Sequence, residues 1–273
     1  MREIAIYGKG GIGKSTTSAN VCAALAENNL KVLQIGCDPK HDSTRTVAGK
    51  FIPTVLDTWR QKEKAGTEIT RDMILFRGYK GVNCIEAGGP EPGVGCAGRG
   101  IIRMMEIIEY LNIFEENYDY VLYDVLGDVV CGGFAKPIQS GYAKEIYIVT
   151  SGEFMALYAA NNIAIAVEKV GKSRGVKLGG IICNSRKIGN EYELVLEFAR
   201  RINSHMIHFV KRDNIIQKYE RQAKTVVEGE PESDAASDYR ILAREISNND
   251  NFSIPTPLNF EELISLCDEY IGA

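Results

Sequence analysis

Glu3-Ile4-Ala5-Ile6-Tyr7-Gly8-Lys9-Gly10-Gly11-Ile12-Gly13-Lys14-Ser15-Thr16 is the stretch that decides the reading of this chain. Glu3–Tyr7 is an apolar, strand-like run, and Gly8 to Ser15 has the spacing G-x-x-x-x-G-K-[ST] just before helical periodicity at 15–28. In that context the pattern is a phosphate-binding loop. Its glycines let backbone N–H groups curl around phosphate oxygens, Lys14 reaches the terminal phosphates, and the Ser15 hydroxyl meets Mg²⁺. Gly8, Lys9, Gly10, Gly11, Ile12, Gly13, Lys14, Ser15 and Thr16 are therefore the candidate ATP-binding loop.

Outward from the loop, apolar runs alternate with helical patterns. Glu3–Tyr7, Lys31–Ile35, Val82–Ile85, Tyr120–Tyr123, Glu145–Val149, Lys177–Cys183 and Met206–Val210 read as strands, and 15–28, 100–112, 155–172, 190–203, 233–248 and 259–271 as helices. Several strands are almost continuously apolar, as in a mostly parallel sheet covered on both faces. The expectation is an α/β fold with helices on both faces, forming one domain over residues 1–273, with Pro231 to Ser237 as a surface loop.

With 273 residues, 45% of them hydrophobic and 25% charged, the chain has the composition of a globular protein able to bury a large core. A formal net charge of −4 gives no general attraction to nucleic acid or anionic lipid, so neither is expected as a partner. The N-terminal apolar run is too short for a signal peptide and no long apolar stretch occurs, so a cytoplasmic location is expected. Seven cysteines in that setting are core thiols or ligands rather than a disulfide framework, and none stands as Cys-x-x-Cys.

Two further segments complete a nucleotide site. Tyr120–Asp124 is an apolar strand ending in an acid, the form taken by a carboxylate that meets Mg²⁺ or its water shell. Cys37-Asp38-Pro39-Lys40-His41-Asp42-Ser43 follows the second strand and sets Asp38 and Asp42 four residues apart, placed to position water or hold the metal.

Cys96 stands in Gly93-Val94-Gly95-Cys96-Ala97-Gly98-Arg99-Gly100, and Cys131 in Asp128-Val129-Val130-Cys131-Gly132-Gly133-Phe134. Glycine beside cysteine lets backbone amides donate to sulfur, as around an iron–sulfur cluster. A cubane cluster needs four thiolates and one chain offers two in this setting, so a two-fold axis through one 4Fe-4S cluster would complete the set in a homodimer. Cys131 lies seven residues beyond Asp124, so a short segment links nucleotide acid to metal ligand. Cys22, Cys37, Cys84, Cys183 and Cys267 read as packing residues, and His205 and His208 as structural.

Together these segments resemble the nitrogenase iron protein family across nearly the whole chain, at Ile4–Thr17, Gly36–Asp38, Gly88–Gly100, Tyr123–Ala135, Tyr158–Ile163, Leu178–Arg186, Met206–Val210 and Arg212–Asn214. The resemblance implies a homodimer in which Cys96 and Cys131 of both subunits hold one cluster. It also implies that Lys9 reaches the partner subunit's nucleotide, as in dimeric ATPases with this deviant loop. Asp38 and Asp42 would belong to a first switch, and Asp124 and Asp128 to a second in which Asp128 activates water. Asn184, Arg212, Asp213 and Gln217 would form the adenosine pocket, and Arg99 would dock on a partner and in some members carry ADP-ribose. The implied activity is ATP-driven delivery of low-potential electrons, from ferredoxin or flavodoxin, to a larger catalytic reductase protein. Typical members have alanine where this chain has His41, and the run Val32–Thr44 together with Ile52-Pro53-Thr54-Val55-Leu56-Asp57 looks more like two sister branches, the L subunit of light-independent protochlorophyllide reductase and the ATPase of a nickel-tetrapyrrole reductive cyclase. A partition or positioning ATPase without a cluster is the alternative of another class, and the acidic C-terminal helix, with Glu261, Glu262, Asp268 and Glu269, has the wrong sign for anionic membranes.

Overall fold

The computed structural model describes residues 1–89, 97–125, 127 and 141–271. Their strands form one eight-stranded sheet: β1 (Arg2–Tyr7), β2 (Val32–Gly36), β3 (Phe76–Arg77), β4 (Asn83–Glu86), β5 (Tyr120–Asp124), β6 (Glu145–Thr150), β7 (Lys177–Asn184) and β8 (Met206–Val210). The order across the sheet is β3-β4-β2-β5-β1-β6-β7-β8. Every pairing is parallel except the two-residue edge strand β3, antiparallel to β4.

The apolar runs of the central strands serve both faces. In β1, Ile4 and Ile6 turn to one face and Ala5 and Tyr7 to the other; in β5, Tyr120 and Leu122 oppose Val121 and Tyr123. Period-two alternation of side chains makes that split unavoidable, so a strand covered on both sides must be apolar throughout. One face is covered by α1 (Lys14–Glu27), with Val21, Cys22 and Leu25, and by α9 (Asp234–Asn248), with Tyr239, Leu242 and Ile246. The other is covered by α4 (Ala97–Tyr110), α5 (Phe154–Arg174), α6 (Glu191–Arg201) and α10 (Phe260–Ile271).

Four short or mid-length helices were not anticipated: α2 (Arg45–Ala48), α3 (Val55–Ala65), α7 (Asn214–Arg221) and α8 (Val226–Gly229). Local chemistry accounts for two of them. Thr54 caps α3, accepting from Asp57 N at 3.1 Å, and Gly66 ends it in the left-handed region. Asp213 caps α7, accepting from Ile215 N at 2.9 Å. The expected loop Pro231–Ser237 is cut short because Ser233 accepts from Ala236 N at 3.1 Å and starts α9 at Asp234.

Cys22, Cys37, Cys84, Cys183 and Cys267 are free and buried, and burial pushes each thiol up from its ordinary range. His208 Nδ1 lies 2.8 Å from Glu245 Oε2 of α9, a partner that sequence distance concealed. Among the described residues no helix is long and apolar enough to cross a membrane.

Phe198 of α6 is fully buried against the sheet. Phe198→Ala is expected to cost about 3–5 kcal/mol in urea unfolding, the usual loss for an aromatic cavity.

Candidate functional site

A cavity of about 680 Å³ opens at the carboxyl ends of the central strands. Ligands of open α/β sheets bind there, at the point where the connection after β1 runs to one side, towards β2, and the connection after β6 runs to the other, towards β7. Gly10, Gly11, Gly13, Lys14, Ser15 and Thr16 line it from the loop between β1 and α1. Gly13 sits at φ 102°, where a side chain would be strained and would also run into the Asn184 amide. Asn184 Nδ2 donates to Ile12 O at 2.6 Å, so the end of β7 braces the loop. No side chain caps α1, which leaves its first-turn N–H groups directed to the cavity as an anion would require.

Charge is concentrated at the base. Lys14 is buried and its Nζ donates to Lys9 O at 3.3 Å. Burial pushes its pKa down, while Asp124, Asp38 and Asp42 hold it up in part. Asp124 ends β5 and is fully buried, with Lys14 and the Ser15 and Ser43 hydroxyls as its polar surroundings. Burial pushes that carboxyl up, offset by Lys14 and by the Ser15 and Ser43 hydroxyls. A buried carboxylate beside a loop serine fits the water shell of Mg²⁺, which is held by one or two carboxylates plus substrate phosphates. Among the described residues no cluster of three or more His, Cys, Asp or Glu gathers to hold a metal by protein ligands alone.

Asp38 accepts from Lys40 N at 2.9 Å and lies 3.5 Å from Lys40 Nζ, and Asp42 is exposed at the cavity edge. Arg212, Asp213 and Gln217 line the far side from the start of α7. The structure thus brings together the loop, Asp38, Asp42, Asn184, Arg212, Asp213 and Gln217, with Asp124 beneath. Gly8, Lys9 and Ile12 do not line the cavity, and Arg99 is exposed in the first turn of α4. Cys96, Asp128 and Cys131 lie outside the described residues.

Several lining residues were missed from sequence: Lys40, Ser43, Arg45, Thr46, Phe51, Arg186, Ile216, Glu220 and Tyr239. Arg45 Nη1 donates to Glu220 O at 2.6 Å, Glu220 Oε1 accepts from Thr16 Oγ1, and the Arg45 guanidinium stacks 5.2 Å from the Phe51 ring centre. Asp213, Ile216, Gln217 and Glu220 recur at helical spacing, a signal that would have found that face. Phe51 and Arg45 gave no such signal.

Glu86 was also missed. It ends β4 fully buried, and Oε1 accepts from Thr44 N at 2.5 Å and Thr44 Oγ1 at 2.8 Å. Burial, reinforced by Asp124 and Asp42 and opposed by the Thr44 bonds, pushes its carboxyl up to about 8.

A parallel sheet with a glycine-rich loop at the head of α1, a buried lysine and a strand-end aspartate defines a P-loop NTPase-type α/β protein. Residues 2–272 match the family described as 4Fe-4S iron sulfur cluster binding proteins, NifH/frxC family, and the chain belongs to it. Among solved structures it is similar to the cell division ATPase MinD of Pyrococcus furiosus, at TM-score 0.68 and 22% identity, over 90% of this chain and 99% of that one. It is similar as well to the septum site-determining protein MinD of Pyrococcus horikoshii OT3 complexed with Mg-ADP, at TM-score 0.67 and 21% identity, over 90% and 96%. A ParA family ATPase of Chlorobium tepidum TLS aligns at TM-score 0.63 and 19% identity, over 89% and 98%. At these identities the likeness is one of fold.

Glu86 also predicts a pH dependence. Between the ordinary glutamate value and about 8, the folded chain holds a proton that the unfolded chain has released. Stability therefore falls as pH rises through that window, by up to roughly 1.4 kcal/mol per pH unit from this one group. Urea unfolding from pH 5.5 to 7.5 is expected to show that slope in the native protein relative to Glu86→Gln, and parallel curves for the two would refute the assignment.

Proposed function

We propose that this protein is an ATP-dependent electron-transfer protein of the nitrogenase iron protein type. It hydrolyses MgATP and delivers low-potential electrons, received from ferredoxin or flavodoxin, to a larger catalytic reductase protein. The observation that carries the reading is the conjunction of a phosphate-binding cavity with a family match over residues 2–272. The 4Fe-4S cluster rests on the glycine-flanked Cys96 and Cys131 and on the family description, and one cluster per homodimer follows from two thiolates per chain.

In this reading Lys14 and the N–H groups of residues 10–16 neutralise phosphate oxygens, and Lys9 contacts the nucleotide of the partner subunit. Ser15 and Asp124 would hold Mg²⁺, which supplies charge neutralisation on the phosphates. Asp38, Asp42 and Asp128 orient the attacking water, and Asn184, Arg212, Asp213 and Gln217 grip the nucleoside. The cluster, bound by Cys96 and Cys131, supplies the one-electron carrier. Nucleotide binding selects one of two conformations by differential affinity, rather than driving covalent chemistry on a small substrate. Arg99, exposed on α4, sits on the docking surface. A nitrogenase-like reductase acting on a tetrapyrrole is the second choice of partner, because the runs Val32–Thr44 and Ile52–Asp57 resemble the sister branches.

Anaerobically purified protein is expected to be brown, with about four irons per dimer, and Cys96→Ser or Cys131→Ser to lose that iron. A colourless wild-type protein would sink the electron-transfer reading and leave a cluster-free ATPase. Lys14→Gln is expected to weaken MgATP binding by roughly 10–100-fold in calorimetry, the loss of a charge-assisted contact. Acetylene reduction with a molybdenum–iron protein, set against activity with a tetrapyrrole reductase, distinguishes the partners.

A further inference from the structure

One buried carboxyl group ties the nucleotide-facing segment to a strand that contributes nothing to the cavity. Glu86 lies beside Gly36 in the β2–β4 register. A Cβ at Gly36 would overlap both Glu86 Oε2 and Ser43 Cβ, so the hydrogen of Gly36 makes room for the carboxyl beneath Ser43 and Thr44. Oε1 takes both Thr44 donors, two residues past Asp42, while Oε2 is buried with no hydrogen-bond partner among the described residues. Gln34 Nε2 donates to Ser43 O at 2.9 Å and holds the same turn from below.

The chain leaving Glu86 touches the nucleotide-facing segment again. Gly89 packs on Pro39, where an added Cβ would lie 3.0 Å from the Pro39 Cβ. Arg60 Nη2 donates to Gly89 O at 2.8 Å, and Leu56 N donates to Ala87 O at 3.1 Å, so residues 87–89 are also pinned to α3. Leu56 in turn meets Gly100 of α4 so closely that a Cβ there would come within 2.7 Å of its Cδ1. Hydrogen bonds and close packing therefore run without a gap from Thr44 through Glu86 and α3 to the first turn of α4. An apolar side chain at 86 would leave two buried donors of Thr44 unpaired and cut the first link.

We propose that Glu86 is a positioning residue that couples Asp38–Thr44 to residues 86–89 and the start of α4, so that nucleotide in the cavity is felt on the face that carries Arg99. The proposal rests on the reading that the cavity binds MgATP. Contiguity alone does not establish coupling, so the test measures both ends.

The experiment is hydrogen exchange by mass spectrometry on the full chain, with and without a non-hydrolysable MgATP analogue, and with analogue affinity measured by calorimetry. In the native protein the analogue should slow exchange in peptides covering 38–46, 83–89 and 97–104, by roughly fivefold or more at the distant two. Glu86→Leu should still bind the analogue and protect 38–46 but lose the protection at 83–89 and 97–104. Glu86→Gln, whose amide oxygen accepts the same two bonds, should restore it. Retained distant protection in Glu86→Leu would overturn the proposal, as would failure of Glu86→Gln to restore it. Should Glu86→Leu not fold, Thr44→Val, which removes the hydroxyl donor and keeps the backbone one, should weaken the distant protection, and unchanged protection there would overturn the proposal equally. A native protein that does not bind the analogue would instead fail the nucleotide reading itself, a result the calorimetry separates from loss of coupling.

Discussion

An ammonium group and a carboxylate are buried together at the carboxyl ends of β1 and β5, with few polar partners among the described residues. Among the described residues Lys14 has one carbonyl partner at 3.3 Å, and the burial of Asp124 is offset only in part by Lys14 and the Ser15 and Ser43 hydroxyls. Burying charge with so few partners costs free energy that folding alone has no reason to spend. The arrangement makes physical sense as one half of an interaction whose other half is a polyanion with its cation. The loop glycines, the uncapped head of α1 and the Asn184 brace all serve to hold those two charges where a phosphate chain would lie.

The sheet makes that arrangement possible. Parallel strands present all their carboxyl ends at one edge, so the loops after β1, β2, β5, β7 and β8 converge although they come from distant parts of the sequence. Cores on both faces fix the strands against sliding, because a shift of one residue would exchange the two apolar sets, Ile4 and Ile6 for Ala5 and Tyr7. Rigidity in the sheet leaves the connecting segments as the parts that can respond to ligand. Asp38–Thr44 is one such segment, and it is held by polar contacts to Gln34 and Glu86 rather than by deep apolar packing. Polar contacts of that kind have discrete alternatives, which suits the switch role that the proposed function gives this segment.

Fold alone does not separate this chain from ATPases of other roles, because one α/β scaffold accommodates many functions. What would distinguish the proposed electron-transfer role is the pair of glycine-flanked cysteines, Cys96 and Cys131, which lie outside the described residues. Sequence and family support that part of the proposal, and the tertiary arrangement supports the nucleotide part.

The sequence by itself determined the elements whose signals are local. The loop from Gly8 to Ser15, the apolar strands around it and Asp124 were legible because spacing and periodicity are properties of neighbouring residues. The caps Thr54 and Asp213 are equally local signals, which mark α3 and α7 by capping residues rather than by a long apolar stripe. Strand β3 was beyond reach, since two residues carry no pattern and exist as a strand only against β4. Only the tertiary structure decided that Arg45 would bond Glu220, that Phe51 would edge the cavity, that His208 would meet Glu245, and that Glu86 would be a neutral anchor under Thr44 rather than a surface carboxylate. Those pairings join residues tens to hundreds of positions apart, and the free energy that selects them is the cost of leaving polar groups unpaired inside a packed interior, which no window of sequence contains.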